Sequence, residues 1–357
     1  PAVADISLAE KREFFERAHQ CFGHSALMMS GAGSLLYFHI GALKAMHTQN
    51  LLPTILSGSS GGAFVGAIAG THADSELENV FSPDNLVYEV NRKRGLGGRI
   101  SVLKPNLMKI EEIKAIYNRL IPDLTFQQAY ELTGRRLNVS IAAAERHQTS
   151  RLLNAVTSPN VCIREAVQAS GAVPGVYPPV TLMARNRSGE RQIFLPSHKW
   201  VDGSVSDDLP AKRLARLYGV NHFIVSQTNP HVLPFITDAK RKRDAISIVK
   251  YASIRASREW LNAGVALAQK PLSRNRRLQQ WINMGISIIN QDYIGDINIL
   301  PPLRLQNPYN LLAHATREDI ASLVLSGERA TWPHLEMIRI QTRIGKLLDD
   351  ILGELSS

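Results

Sequence analysis

Apolar residues along this chain fall into short blocks separated by glycine turns. "SALMMS" (Ser25 to Ser30) reads as a buried strand, "GAGS" as a turn and "LLYFHIGALKAMH" (Leu35 to His47) as a helix. The order then repeats, with "LLPTILS" a strand, "GSSGG" a turn and "AFVGAIAG" a helix of small residues. Strand, turn and helix twice in succession predict a parallel sheet covered by helices, with ligands at the carboxyl ends of the strands. "RRLNVSIAAA" and "HFIVSQ" extend the sheet to at least residue 228, and "GDINILPP" reads as a late strand ending in a turn.

The two ends of the chain are helical in pattern. Ser7-Leu8-Ala9-Glu10 is a capping box opening a helix to about His19, with a break at Gly23. Near the C-terminus Met337, Ile340, Ile344, Leu347, Ile351 and Leu355 recur at helical spacing, which predicts core packing. The expected organisation is an N-terminal helical extension over 1–24, an α/β domain over 25–305 and a C-terminal helical tail over 306–357. Within the domain, 238–290 reads as a basic, amphipathic helical segment.

Composition narrows the class. A chain of 357 residues, 44% hydrophobic and 20% charged, can bury a large core, and it has no apolar run of the length a spanning helix needs. Its start lacks an apolar signal core and a Met, which reads as a processed or trimmed terminus. Cys21 and Cys162 provide neither a disulfide framework nor a metal quartet, so a reducing, cytoplasmic setting is expected and the sequons at Asn138 and Asn186 are expected to be unused. The net charge of +10 is uneven: from Asp238 to Trp281 eleven Lys or Arg stand against three acids, with Trp260 and Trp281 among apolar residues. Such a stretch suits an anionic membrane or lipid-droplet surface, and a solvated basic helix packed on the core fits it equally. No recognised nucleic-acid motif accompanies the charge.

The chemistry centres on Gly58-Ser59-Ser60-Gly61-Gly62, a G-x-S-x-G frame that places a serine on a sharp strand-to-helix turn. A hydroxyl is a weak nucleophile and needs a base in reach, together with amide donors for the oxyanion. Gly31, Ala32, Gly33 and Ser34 form a small-residue turn at a helix start, where free amides favour negative charge. A dinucleotide fingerprint fails there, because the third glycine position is Leu36 and no acid closes the next strand. Asp202-Gly203, after the strand-like "HKWV", offers a carboxylate at another strand end, although Asp-Gly alone is an ordinary turn. "ASGAVPGVYPP" (Ala169 to Pro179) is a small, rigid segment suited to walling a pocket. The eleven histidines are scattered without ligand spacing, so neither a metal nor another cofactor is expected.

In order, "SGAGSLLYFHIGALKAM", "SGSSGG", "ASGAVPGVYPP" and "WVDGS" resemble the motifs of the patatin-like phospholipases. "DLPAKRLARLYGVNHFIVSQTNPHV", "GDINILPP" and "GERATWP" resemble more narrowly the branch with the yeast and plant storage-lipid triacylglycerol lipases and their bacterial relatives. "EKREFFERAHQCFGHSALMMSG" resembles the stretch preceding the core in that branch, so the similarity runs from about Glu10 to Pro333. The resemblance implies a three-layer α/β/α fold with a mainly parallel sheet, and hydrolysis of long-chain acylglycerol or phospholipid esters. It further implies Ser60 as nucleophile, Asp202 as its only side-chain partner, and an oxyanion hole built from Gly31, Ala32, Gly33 and Ser34 with the Gly61 amide. Two departures stand out. The first loop lacks the usual third glycine and basic residue, and Ser204 replaces a commoner second glycine after Asp202.

Two other readings have expected signatures. A Ser-Asp-His esterase would use His222 or His231 as base, and both lie in stretches matching the branch, which favours structural roles. A catalytically silent lipid- or membrane-binding protein would work through the basic segment alone. Around Ser60, Ser57 and Ser59 are expected to be turn residues.

Overall fold

The computed structural model describes residues 6–87, 108–145, 150–205, 208–229, 295–302 and 315–355; the basic segment 238–290 and His231 lie outside them. The strands are β1 (His24–Met29), β2 (Ile55–Gly58), β3 (Arg136–Ala143), β4 (Arg151–Leu153), β5 (Leu182–Arg185), β6 (Arg191–Phe194), β7 (Trp200–Asp202), β8 (Val220–Ser226) and β9 (Ile297–Ile299). The helices are α1 (Leu8–Phe22), α2 (Leu36–Thr48), α3 (Gly61–Thr71), α4 (Asp74–Val80), α5 (Pro83–Leu86), α6 (Ile110–Leu120), α7 (Phe126–Thr133), α8 (Ile163–Ser170), α9 (Ala211–Tyr218), α10 (Arg317–Thr331) and α11 (Leu335–Glu354).

The central sheet runs β4-β3-β2-β1-β8-β9, and β7 shares the outer edge of β3 with β4. Pairings from β3 through β9 are parallel, while β4 and β7 run antiparallel to β3. This is the expected mainly parallel α/β sheet, with a separate β5–β6 hairpin beside it.

Register decides which side chains meet. Gly58, the last residue of β2, is level with Met29 on β1 and Val139 on β3. Asp202 pairs with Ile141, two residues past Val139, so it stands at the height that Ser60 reaches beyond Gly58. The antiparallel run of β7 therefore delivers a carboxylate to the same rim as the serine turn.

The sequence of α3 is apolar all round, and every residue from Gly62 to Thr71 is buried, as a central helix requires. α10 is also built into the body. A Cβ on Gly41 of α2 would lie 1.9 Å from the Val324 carbonyl oxygen, and one on Gly327 would lie 2.1 Å from that of Phe38. The two helices touch backbone to backbone, and Ile320 and Val324 join the main core. The expected C-terminal tail is thus helical, but its first helix is part of the core.

The C-terminal stripe departs from expectation. Met337, Ile340, Ile344 and Leu347 are 49–64% exposed, whereas Ile338 and Leu348 are the buried residues of α11. The helix lies on α1 through the adjacent face, where Gly345 passes beside Phe22 and Gly23. At the other end the capping box forms as expected, Ser7 and Glu10 exchanging backbone bonds at the start of α1.

Candidate active site

Ser60 sits between β2 and α3 at φ 51° and ψ −120°, a region that side-chain-bearing residues rarely occupy. Holding it there costs on the order of 1–3 kcal/mol, which the surrounding packing must offset. The flanking glycines explain how the turn closes. A Cβ on Gly58 would lie 2.3 Å from the Gly62 carbonyl carbon, and one on Gly62 would lie 2.3 Å from the Met29 carbonyl oxygen. The first pair brings the arms of the turn together, and the second seats it on β1. The Ser60 amide donates to Ser170 Oγ at 2.9 Å, and Ser170 Oγ donates to the Ser140 carbonyl at 2.7 Å. Ser170 belongs to the segment expected to wall a pocket, and here it ties α8 to the turn.

Asp202 is 2% exposed. Its amide donates to the Ala172 carbonyl at 3.0 Å, and its Oδ1 accepts the Ser204 amide at 2.8 Å. Burial pushes its carboxyl up to about 6, against the opposing pull of hydrogen bonding from the Ser204 amide, the Ser204 hydroxyl and, last, the Ser60 hydroxyl. Gly203 is required by closeness, since a Cβ there would lie 2.2 Å from the Ser140 carbonyl oxygen. Ser204, standing where a glycine is commoner, supplies the carboxylate with an extra donor.

The loop from Gly31 to Ser34 packs directly on the turn: a Cβ on Gly61 would lie 2.9 Å from Ala32 Cβ and 3.3 Å from the Gly33 carbonyl oxygen. Gly33 and Ser34 begin a 3-10 turn that leads into α2. The Gly31 amide is already engaged, donating to Asp208 Oδ1 at 2.7 Å. The same oxygen accepts the Ser59 hydroxyl in a short contact. Asp208 is fully buried, and burial pushes its carboxyl up to about 7. Ser59 is therefore bonded into the site rather than a plain turn residue, and Ser57 lies inside β2.

Histidines fall elsewhere. His222 is level with Ser25 on β1, four residues before Met29, hence about 13 Å along the strands from the serine rim. His39 is buried beneath the first loop. Its Nε2 faces the Ser30 carbonyl at 3.1 Å, so that nitrogen carries the proton and Nδ1 accepts from Ser226 Oγ at 2.7 Å. Burial pushes it down to about 4, so it is neutral. Among the described residues, His19, His24 and Asp349 bring possible metal-ligating atoms within 4.8 Å of one another, and His24 begins β1 at the opposite rim.

A cavity of about 360 Å³ lies beside Asp202's neighbours, lined by Tyr117, Gly171, Ala172, Val180 and others. Tyr117 stacks on Phe64 of α3 with ring centres 5.0 Å apart. Another cavity, about 690 Å³, opens at the far rim among His24, His47, His222 and Asp349. Pattern reading singled out Ser60, Asp202 and the first loop, and the fold brings them to one rim. It missed Ser170, Asp208 and His39, because a buried serine, carboxylate or imidazole is indistinguishable in sequence from an exposed one.

The chain matches the family described as patatin-like phospholipase over residues 27–215, more than half its length. It is 31% identical to the triacylglycerol lipase SDP1L of Arabidopsis thaliana over 376 residues, covering 99% of this chain and 45% of that protein. It is also 31% identical to triacylglycerol lipase 4 of Saccharomyces cerevisiae over 353 residues, covering 91% of this chain and 38% of the relative. The chain thus spans less than half the length of these relatives. Among solved structures, VipD from Legionella pneumophila aligns at 16% identity and TM-score 0.43, covering 88% of this chain and 67% of that one.

Proposed function

The chain belongs to the patatin-like phospholipase family, and on that footing we propose that it is an acyl-lipid hydrolase cleaving carboxylic esters with Ser60 as nucleophile and Asp202 as base. One observation carries the reading: a serine held in left-handed backbone on a glycine-closed turn shares its rim with a buried carboxylate of raised pKa. A carboxylate at its ordinary pKa near 4 makes a poor base, and desolvation corrects this by bringing basicity toward the working pH.

In the first half-reaction Asp202 accepts the Ser60 proton as Oγ attacks the acyl carbonyl carbon. The oxyanion is held by amides of the first loop and the turn, Ala32, Gly33 and Gly61. Gly31 is set apart, because its amide serves Asp208. As the tetrahedral adduct collapses, Asp202 returns the proton to the leaving alcohol. Water then attacks the acyl-enzyme, Asp202 taking its proton, and Ser60 is regenerated. The Ser60 amide, engaged with Ser170, positions the nucleophile rather than the oxyanion.

The substrate class is a long-chain acylglycerol. The names of the two relatives, both triacylglycerol lipases, support it. The basic, Trp-bearing stretch 238–281 supports docking on an anionic membrane or droplet surface. The test is purified protein on triacylglycerol droplets and mixed phospholipid vesicles, with released products identified by mass against a Ser60→Ala control. Fatty acid released from droplets by wild type alone supports the reading. Vesicle binding with no fatty acid released from either would replace it with a silent lipid-binding role.

A further inference from the structure

Asp208 is a buried carboxylate at the catalytic rim that the proposed reaction does not consume. It follows Asp202 by six residues and is fully buried. Burying a carboxylate is costly unless donors converge on it, and here they come from separate parts of the chain. Oδ1 accepts the Gly31 amide of the first loop at 2.7 Å and the Ser59 hydroxyl of the serine turn, and the Asn229 side chain also contributes hydrogen bonding. The other side of Gly31 is fixed as well, since its carbonyl accepts from Ser30 Oγ at 3.1 Å and Thr228 Oγ1 at 3.3 Å.

We propose that Asp208 is a positioning residue, one oxygen of which clamps the first loop to the serine turn and so sets the oxyanion-binding amides over Ser60. The inference rests on the Ser60–Asp202 reading. Its physical basis is that the two turns come from different βα units: Ala32 and Leu36 pack against Gly61 and the Ser59 amide donates to the Met29 carbonyl at 3.3 Å, while Asp208 is a side chain that bonds to both turns. Amides that must meet a developing oxyanion tolerate little displacement, and a shift of about 1 Å is worth about 10²-fold in rate. A single acceptor shared by an amide of one turn and the hydroxyl of the other removes that freedom. Asp208 acts through Gly31 and Ser59.

The test compares Asp208→Ala, Asp208→Asn and Ser59→Ala with wild type on a soluble nitrophenyl acyl ester, and measures inhibition by a trifluoromethyl ketone, whose Ser60 adduct carries the oxyanion. Asp208→Ala removes the acceptor and lowers kcat by about 10²-fold, the scale of one oxyanion donor. KM stays within about twofold, and ketone affinity falls in parallel with kcat, because the loss is confined to the oxyanion state. Asp208→Asn keeps a carbonyl oxygen at the Oδ1 position and recovers activity to within about tenfold of wild type. Ser59→Ala breaks one arm of the clamp and gives an intermediate, parallel loss. If Asp208→Ala does not fold, the other two variants decide: an Asn variant as impaired as Ser60→Ala, or a Ser59 variant with unchanged kcat and ketone affinity, overturns the clamp. A folded Asp208→Ala enzyme with kcat within about threefold of wild type, or one that loses kcat while ketone affinity holds, overturns it too. Hydrolysis surviving in Ser60→Ala would instead remove the dyad reading beneath it.

Discussion

At the C-terminal rim of the sheet, polar side chains are buried and bonded across different elements: Ser60 to Ser170, Asp202 to Ser204, and Asp208 to Gly31 and Ser59. At the N-terminal rim a larger cavity is lined by groups that pair at the surface, with His47 3.0 Å from Asp74 and Asp349 2.8 Å from His19 behind the lining. The far rim has more volume and more histidines, yet His47 and His19 pair with exposed carboxylates and His222 with Ser25. The near rim has backbone strain at Ser60 and a desolvated carboxylate held, among the described residues, by neutral donors. On the proposed reading, volume does not locate the chemistry. A carboxylate answered by neutral hydrogen bonds rather than by a cation keeps a raised pKa, which is what a base needs.

The sharpest way to break this contrast is to disable one residue at each rim. Asp202→Asn is expected to lower kcat by about 10³-fold, within the range for losing a general base. His222→Ala, which loses its 3.0 Å contact with Ser25, is expected to leave kcat within about twofold, because it lies about 13 Å along the strands from the serine rim. Steady-state rates on a nitrophenyl acyl ester check both.

Glycines give a second contrast, read by thermal or urea unfolding. Gly62→Ala forces a Cβ to 2.3 Å from the Met29 carbonyl oxygen and is expected to destabilise by at least about 2 kcal/mol. Gly353→Ala, in open space in α11, is expected to stabilise by up to about 1 kcal/mol.

The Asp202 carboxyl sits at about 6 in the fold against an ordinary value of 3.8, so kcat should rise through about pH 6 as the base ionises. The folded state holds that proton more tightly than the unfolded one. Wild-type stability therefore falls as pH rises from about 4 through about 6, and the deficit is fully present above that. Asp202→Asn should be the more stable protein at pH 8 by up to about 3 kcal/mol, with the gap closing toward pH 4. Ser204→Gly removes a hydroxyl that lowers the Asp202 pKa and should move the acid limb of kcat to higher pH. The smallest effect is expected at the exposed stripe of α11, where Ile340→Ser should change stability by less than about 0.5 kcal/mol.

Much of this architecture was legible in residue order. Repeated strand, glycine turn and helix announced the parallel sheet, and the G-x-S-x-G frame with its small-residue helix placed Ser60. Asp202 was legible only in company, because an Asp-Gly pair is usually a turn, and the antiparallel run of β7 that carries it to the serine rim is a tertiary fact. Asp208, Ser170 and His39 were not legible, since their roles depend on burial and on partners up to 189 residues away. The α11 stripe misled for a related reason. Helical spacing marks an apolar face, but the face that meets the body carries Ile338 and Leu348 instead.

The central claim is that Ser60 is activated by Asp202. It is tested most directly by labelling with a fluorophosphonate, followed by intact mass and peptide mapping across pH. The account predicts one adduct per chain, on Ser60, at a rate that rises through about pH 6 and falls by at least about 10²-fold in Asp202→Asn. An adduct on a different residue, or an Asp202→Asn protein labelled as fast as wild type, would contradict it.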